Sequence, residues 1–291
     1  MNFLLDSLSI KYYLCFMNKL PISKKVQIIN LLVEGSSLRA ASRIADVSIN
    51  TVTKLLVDVG RACEKFHDEK VRGLKSSKIQ ADEIWSFVYS KQKNVPDGME
   101  NAAGDIWTWT AIDADSKLIV SWFVGDRTAV SANLFMKDVA SRLANKVQLT
   151  TDGHSAYLSA VDNAFESKID FAQLQKIYGF AEGESHNERK YSPAQCTGIR
   201  KTVITGNPDE KNISTSYVER QNLTIRMHNR RFTRLTNAFS KKIDNHCLAL
   251  ALHFVYYNFV KIHKTLRVPP AMEAGLIKRL MTIEDIVKLS D

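Results

Sequence analysis

Asp82, Asp152 and Glu219 are the residues of this 291-residue chain whose type and setting can do chemistry together. Asp82 interrupts the strand-like run QADEIWSFV, where a charge among Ile79, Ile84 and Trp85 is costly unless something pairs with it. Asp152 closes VQLTTDG immediately before Gly153, a place where a chain leaving a sheet delivers functional side chains. Glu219 is the acid of the basic helical segment STSYVERQNLTIRMHNRRFTR, and Asn222, Leu223 and Arg226 follow it on the same side. Singly, each has a plain structural reading: a buried hydrogen-bonded acid, an Asx turn or helix cap over GHSAY, and a surface partner for a neighbouring arginine. Jointly they describe a metal site. Carboxylates brought together repel and need a cation, and hard divalent ions take carboxylate oxygens together with phosphate and water. Magnesium, with manganese able to substitute, is the expected cofactor, held by Asp82, Asp152 and Glu219.

For these residues to meet, the chain around them has to form a sheet. From KIQADEIWSFVYS onward the period changes from 3.6 to 2, and IWTWTAIDADS and KLIVSWFVGD supply two further strands rich in β-branched and aromatic residues. The Asp-rich turn between the last two makes an antiparallel hairpin. A helix (TAVSANLFMKDVASRLANK), a short strand (VQLTTDG), a helix (HSAYLSAVDNAF) and a strand (IDFAQLQKIYG) follow, and the segment carrying Glu219 is the next helix. This is a mixed α/β order, a five-stranded sheet flanked by helices, and it is the order of a ribonuclease H-like domain. In it the first and fourth strands are neighbours, so Asp82 and Asp152 face one another. The expected core spans 79–265, with 178–212 as an insertion.

Upstream the pattern is helical. Val26, Ile29, Leu32 and Val33 recur at helical spacing, Gly35 stops that helix, Ser37 caps a second, and Ser48 caps a third that is expected to end at Gly60. A tight turn at Asp46 and Val47 joins the second and third. The third presents Asn50, Thr51, Thr53 and Lys54 near its start, the position from which a recognition helix reads base edges, although a three-helix bundle without a ligand has the same pattern. Residues 18–66 therefore read as an all-α helix-turn-helix DNA-binding domain, HDEKVRGLKSSK (67–78) as a polar linker, and 266–291 as a C-terminal tail.

Composition agrees with a nucleic-acid partner. Lys+Arg 40 against Asp+Glu 31 gives a formal charge of +9, which favours a polyanion, and double-stranded DNA leads. Cys15, Cys63, Cys196 and Cys247 lack C-x-x-C spacing, so neither a zinc ribbon nor a disulfide framework is indicated. MNFLLDSLSIKYYLCFMNKL is too short and too polar to span a bilayer and lacks the features of a signal peptide, which gives the expectation of a cytoplasmic, nucleoid-associated protein with no membrane partner. Met17 opens MNKLPISKKVQIINLL as a natural start, and residues 1–17 read as an extension.

QADEIWSFV, TTDGHSAY and STSYVERQNLTIRMHNRRFTR resemble the three catalytic blocks of acidic-triad (DDE) transposases of bacterial insertion sequences, most closely the family named for insertion sequence one. YYNFVKIHKTLRVPPAMEAGL (256–276) resembles the Asn, His, Leu and Pro-Ala pattern that follows the core in related integrases. The resemblance implies that Asp82, Asp152 and Glu219 are the catalytic triad, with Asp82 bridging two ions, and that Arg226 holds substrate DNA, with Arg230 among the DNA-binding arginines. It implies cleavage and strand transfer at element ends by a homo-oligomer assembled on DNA. The cysteine-based zinc module with which many members begin is not visible, so zinc is not carried over.

The remaining polar residues read as structural. His154 belongs to a helix start or a DNA contact, Asp113, Asp115 and Asp126 to turns, and His228, His246, His253 and His263 to no metal set. Three function classes remain: a transposase, a ribonuclease H-like nuclease that only hydrolyses, and a DNA-binding regulator with a degenerate core. The three acids argue against the last, and the helix-turn-helix pattern and basic segment favour the first over the second.

Overall fold

Helical periodicity before Lys78 and strand periodicity after it divide the chain into two kinds of structure. The computed structural model, which describes residues 20–179, 195–233 and 236–291, keeps that division. The expected extension 1–17 lies outside the described residues, as do 180–194 of the expected insertion. α1 (Ile22–Val33), α2 (Leu38–Ala45) and α3 (Ile49–Lys70) come first. β1 (Lys78–Val88), β2 (Gly104–Asp113), β3 (Ile119–Gly125), α4 (Ala129–Arg142), β4 (Gln148–Thr151), α5 (Ala156–Phe165), β5 (Asp170–Gly179) and β6 (Gln195–Thr205) follow. α6 (Ser216–His228), α7 (Ile243–Phe259), α8 (Pro270–Glu273) and α9 (Ile283–Lys288) complete the order.

The strands form one sheet in the order β3-β2-β1-β4-β5-β6. β1 is antiparallel to β2 and parallel to β4, β4 is parallel to β5, and the β2–β3 and β5–β6 pairs are antiparallel. The sheet thus has six strands where the sequence suggested five. The extra strand, β6, contains the RKTVIT stretch of the expected insertion 178–212. β4 pairs with one edge of β5 only from Asp170 to Gln173, and β6 pairs with the other edge from Phe171 to Gly179, which satisfies the backbone groups on that side. The result is a mixed α/β fold with a six-stranded sheet flanked by helices, consistent with a ribonuclease H-like fold.

Both faces of β1 are covered, which explains why its apolar run is nearly continuous. Ile79 and Ala81 are buried with Trp109, Phe135 of α4 and Tyr157 of α5. On the opposite face Ile84 packs with Ile112, Val218 and Ile225 of α6, and Phe254 of α7. Burying a side chain of this size contributes about 1.5–3 kcal/mol.

The caps expected at Ser37 and Ser48 form: Ser37 Oγ accepts from Ala40 N (3.0 Å) and Ser48 Oγ from Asn50 N (3.2 Å). The third helix differs from expectation, running through Gly60 to Lys70. Gly60 is a contact and not a stop, because a Cβ there would lie 2.6 Å from the carbonyl oxygen of Leu248 on α7. The expected linker 67–78 is likewise built in. His67 is buried, its Nε2 3.1 Å from Ile119 O and its ring edge-on to Trp122, and Leu74 forms a bridge to Leu143. The expected C-terminal tail is also packed: Ile283, Ile286 and Val287 join the cluster that contains Ile28 and Ile29 of α1.

Gly60→Ala sets two effects against each other. Alanine improves helix propensity by about 1 kcal/mol, but the added carbon meets backbone that cannot rotate away, and overpacking of that kind costs about 1–3 kcal/mol. Net destabilisation is expected in urea unfolding, and a stabilised variant would show that α3 and α7 are not in close contact.

Candidate active site

The site begins where β4 stops. Thr151 pairs with Ala81 and is the last residue of β4, so Asp82 is the first residue of β1 with no β4 neighbour on that side. The strand alternation turns Asp82 toward α6, where Asn222 Nδ2 donates to Asp82 Oδ2 at 2.8 Å. Asp152 follows the last residue of β4, and its Oδ1 accepts from His154 N at 3.0 Å, which is the Asx turn of the plain reading. Its other oxygen lies 3.9 Å from Arg127 Nη2. Glu219 sits in the first turn of α6. Thr215 Oγ1 donates to Oε1 at 2.7 Å, and Oε2 pairs with Lys176 of β5. Asp82, Asp152, Glu219 and Arg226 all line one cleft of about 570 Å³.

A fourth acid lies in it. Glu83 points to the opposite face of β1 and its side chain is 1% exposed. Its Oε1 accepts from Arg127 Nε (2.8 Å) and its Oε2 from Tyr157 OH (2.9 Å), while the Arg127 guanidinium lies 4.7 Å from the centre of the Trp107 ring. Asp82, Glu83 and Asp152 each place a carboxylate oxygen within 4.8 Å of the others, and Glu219 stands outside that group.

Burial pushes the Asp82 carboxyl up to about 8, assisted by the charges of Glu83, Asp152 and Glu219 and opposed by a backbone hydrogen bond from Glu83. Glu83 is also raised, by burial and then by Asp152, against the pull of Arg127 and Tyr157. Negative charge is therefore in excess. Asn222 Oδ1 is buried with no partner among the described residues. Several carboxylates and an unpartnered amide oxygen, all hard oxygen donors, fit a divalent cation such as magnesium.

The other anticipated residues divide. Arg226 lines the cleft on the Glu219 side of α6, whereas Arg230 lies past the helix end in a short 3₁₀ turn and does not line it. Asn50, Thr51, Thr53 and Lys54 sit at the start of α3 and do not line it either; Asn50 is exposed, Thr53 Oγ1 donates to Ile49 O (2.9 Å), and Lys54 pairs with Asp58 (3.1 Å). His154 lines the cleft, but its Nδ1 accepts from Ala156 N (3.0 Å) and its ring sits edge-on to Trp109, a structural role. Asp113 closes the β2–β3 turn, Asp115 pairs with Lys78, and Asp126 accepts from Thr128.

Sequence reasoning missed Glu83, Arg127, Tyr157, Lys176 and Asn222. Glu83 had a signal, since an acid beside Asp82 in a strand covered on both faces needs a partner as much as Asp82 does. Asn222 had one too, sharing the Glu219 side of its helix, while Arg127, Tyr157 and Lys176 had none that is local.

No family model matches the chain, and no curated protein matches it. Among solved structures, the crystal structure of a pre-cleavage Mos1 transpososome aligns over 88% of this chain and 88% of that chain, at 9% sequence identity and a TM-score of 0.25.

The raised Asp82 carboxyl has a stability signature. The unfolded chain releases this proton near its ordinary value of 3.8 and the folded chain only near about 8, so ionisation destabilises the fold progressively across that window and fully above it. In chelator, Asp82→Asn should melt with wild type at acid pH and above it by a margin that widens toward pH 8, about 2–4 °C for each kcal/mol. Thermal denaturation across pH checks this, and parallel profiles would show that Asp82 carries no uncompensated charge. Added magnesium should stabilise wild type and narrow the gap.

Proposed function

We propose that this protein is a DDE-type transposase that catalyses metal-dependent DNA cleavage and strand transfer at the ends of an insertion sequence. The observation that carries the reading is that carboxylates from β1, the end of β4 and α6 line one cleft together with basic side chains. Asp82, Asp152 and Glu219 would hold the two magnesium ions. When bound, such ions activate a water or a 3′-hydroxyl on one side of phosphorus and stabilise the oxygen leaving on the other.

The chain's own residues do the positioning. Asn222 fixes the rotamer of Asp82, Thr215 and Lys176 orient Glu219, and Arg226 offers a guanidinium to a phosphate beside the acids. On this reading the α1–α3 unit acts as the helix-turn-helix that holds element ends through Asn50, Thr51, Thr53 and Lys54, and Arg230 adds a backbone contact. The partners are element ends, target DNA and further copies of the chain. Among the described residues no helix is long and apolar enough to cross a membrane; a nucleoid-associated protein of the cytoplasm suits the proposed substrate.

Labelled terminal repeats, magnesium and a target plasmid test the reading. Wild type should yield both cut ends and joined products; cutting without joining would favour a hydrolytic nuclease. Asp82→Asn, Asp152→Asn and Glu219→Gln should each reduce both steps by about 10³-fold or more, the scale of several kcal/mol of lost charge stabilisation. DNA binding should stay near wild type. Substantial strand transfer by any one of them removes that residue from the site.

Arg226→Ala should lower affinity and strand transfer together and flatten the salt dependence by about one phosphate contact. Arg226→Lys should recover part of the loss, since the charge is kept and the bidentate fork is not. Wild-type affinity and slope in the alanine variant would place Arg226 outside the DNA path.

A further inference from the structure

α6 has two working flanks. At 3.6 residues per turn, Glu219, Asn222 and Arg226 share the cleft side, Val218 and Ile225 face the sheet, and Tyr217, Arg220, Thr224 and His228 turn to the far side. There they line a second concavity of about 230 Å³. Its other wall comes from Lys117, after the β2–β3 turn, and from Lys261, His263 and Lys264, after α7. Four cations and two imidazoles surround it, and no carboxylate among the described residues lines it.

The charge is poorly compensated from within. Lys261 Nζ lies 2.8 Å from His228 Nε2, which requires one of the two nitrogens to be a neutral acceptor. Lys117 is only 9% exposed, and its ammonium rests 3.3 Å from the centre of the Tyr217 ring. Glu34 stands behind His228 at 3.6 Å from Nδ1 and also accepts from Tyr256 OH, and Asp115 beyond the pocket feels the charge of Lys117. Burial, then the charge of Lys261, hold His228 below the ordinary imidazole range; burial and Lys117 do the same to His263. Further positive charge is penalised here, and an anion is favoured. Tyr217, Met227 and Ile262 add exposed apolar surface at the rim, suited to sugar as well as phosphate.

We propose that this basic pocket is a second DNA-backbone site, taking phosphates of duplex DNA away from the scissile position, with α6 lying between it and the carboxylates. The inference rests on the reading of the chain as a DNA-processing enzyme. Arg220 supplies a bidentate fork for a phosphate, and Lys261 and Lys264 supply point charges from the facing wall.

Arg220 and Lys264 are exposed and can be reversed without disturbing the core. The full chain carrying Arg220→Glu and Lys264→Glu is compared with wild type for binding, across salt concentrations, to a duplex of about two helical turns, ~20 base pairs. A control carries Lys65→Glu and Lys168→Glu, with side chains 80% and 82% exposed on other surfaces and the same change in net charge. The pocket variant should lose about tenfold or more in affinity at low salt, and its dependence of log K on log salt should flatten by about 1.8 for two phosphates. The control should keep the wild-type slope. Cleavage at saturating DNA should stay near wild type in both, because Arg220 and Lys264 face away from the carboxylates. Equal affinity and slope in the pocket and control variants overturns the pocket alone, whereas a wild-type chain that binds no duplex overturns the functional reading on which the pocket rests.

Discussion

Like charges at close range are what this molecule has to contain. Three carboxylate oxygens within 4.8 Å of one another, with Glu219 across the same cleft, would repel strongly in surroundings of low dielectric. The fold answers from several directions: Arg127 pairs with Glu83, Lys176 pairs with Glu219, and the Asn222 amide reaches Asp82 from α6. Without a cation the balance remains negative, and Asp82 is the group on which the excess falls.

The same constraint explains the uneven strand lengths. β4 is four residues long beside an eleven-residue β1, and its early end leaves the notch into which Asp82 and Asp152 project. β5 overshoots β4 as well, which carries Lys176 to the cleft, and pairs with β6 along its other edge. α6 then closes the notch. Its N-terminal amides on Tyr217 and Val218 donate to Gln80 Oε1 (2.8 and 3.2 Å), which anchors the helix to β1 one strand-turn from Asp82. The acid of a basic helix is thus oriented by the strand bearing its partner acid, and the helix's other flank is free to gather cations.

What was legible in the sequence is what local pattern determines. Ser37 and Ser48 announced their caps, the period change at Lys78 announced the sheet, and Asp82 and Asp152 stood out because a strand interior and a strand end are poor places for idle acids. What was illegible depends on partners distant in the chain. A glycine that stops a helix and a glycine that admits a neighbouring backbone are the same letter, and only Leu248 distinguishes Gly60 as the second kind. His67 opens a charged stretch, and only the Ile119 carbonyl and Trp122 make it a buried anchor. β6 is exposed along most of its described length, so it lacks the alternation that burial imposes on a strand. Arg127 and Lys176 could not be picked from forty basic residues without the carboxylates they face.

α3 is where these distant contacts bear on function. A 22-residue helix is about 33 Å long at 1.5 Å per residue. Its middle is pinned to α7 through Gly60 and its end to the sheet through His67, so Asn50 and its neighbours stand at the tip of a shaft fixed in the core. α9 packs against α1 and braces the helices from the chain's other end. Displacing the tip relative to the carboxylates would expose buried apolar surface at each of these contacts, which opposes swinging on a hinge. If the start of α3 reads an element end as proposed, the distance between the sequence recognised and the phosphate cut by the same chain is then set by helix length and packing. A flexible linker over 67–78 would have let that distance vary; the buried His67 at the helix end and the Leu74–Leu143 bridge make it a property of the fold.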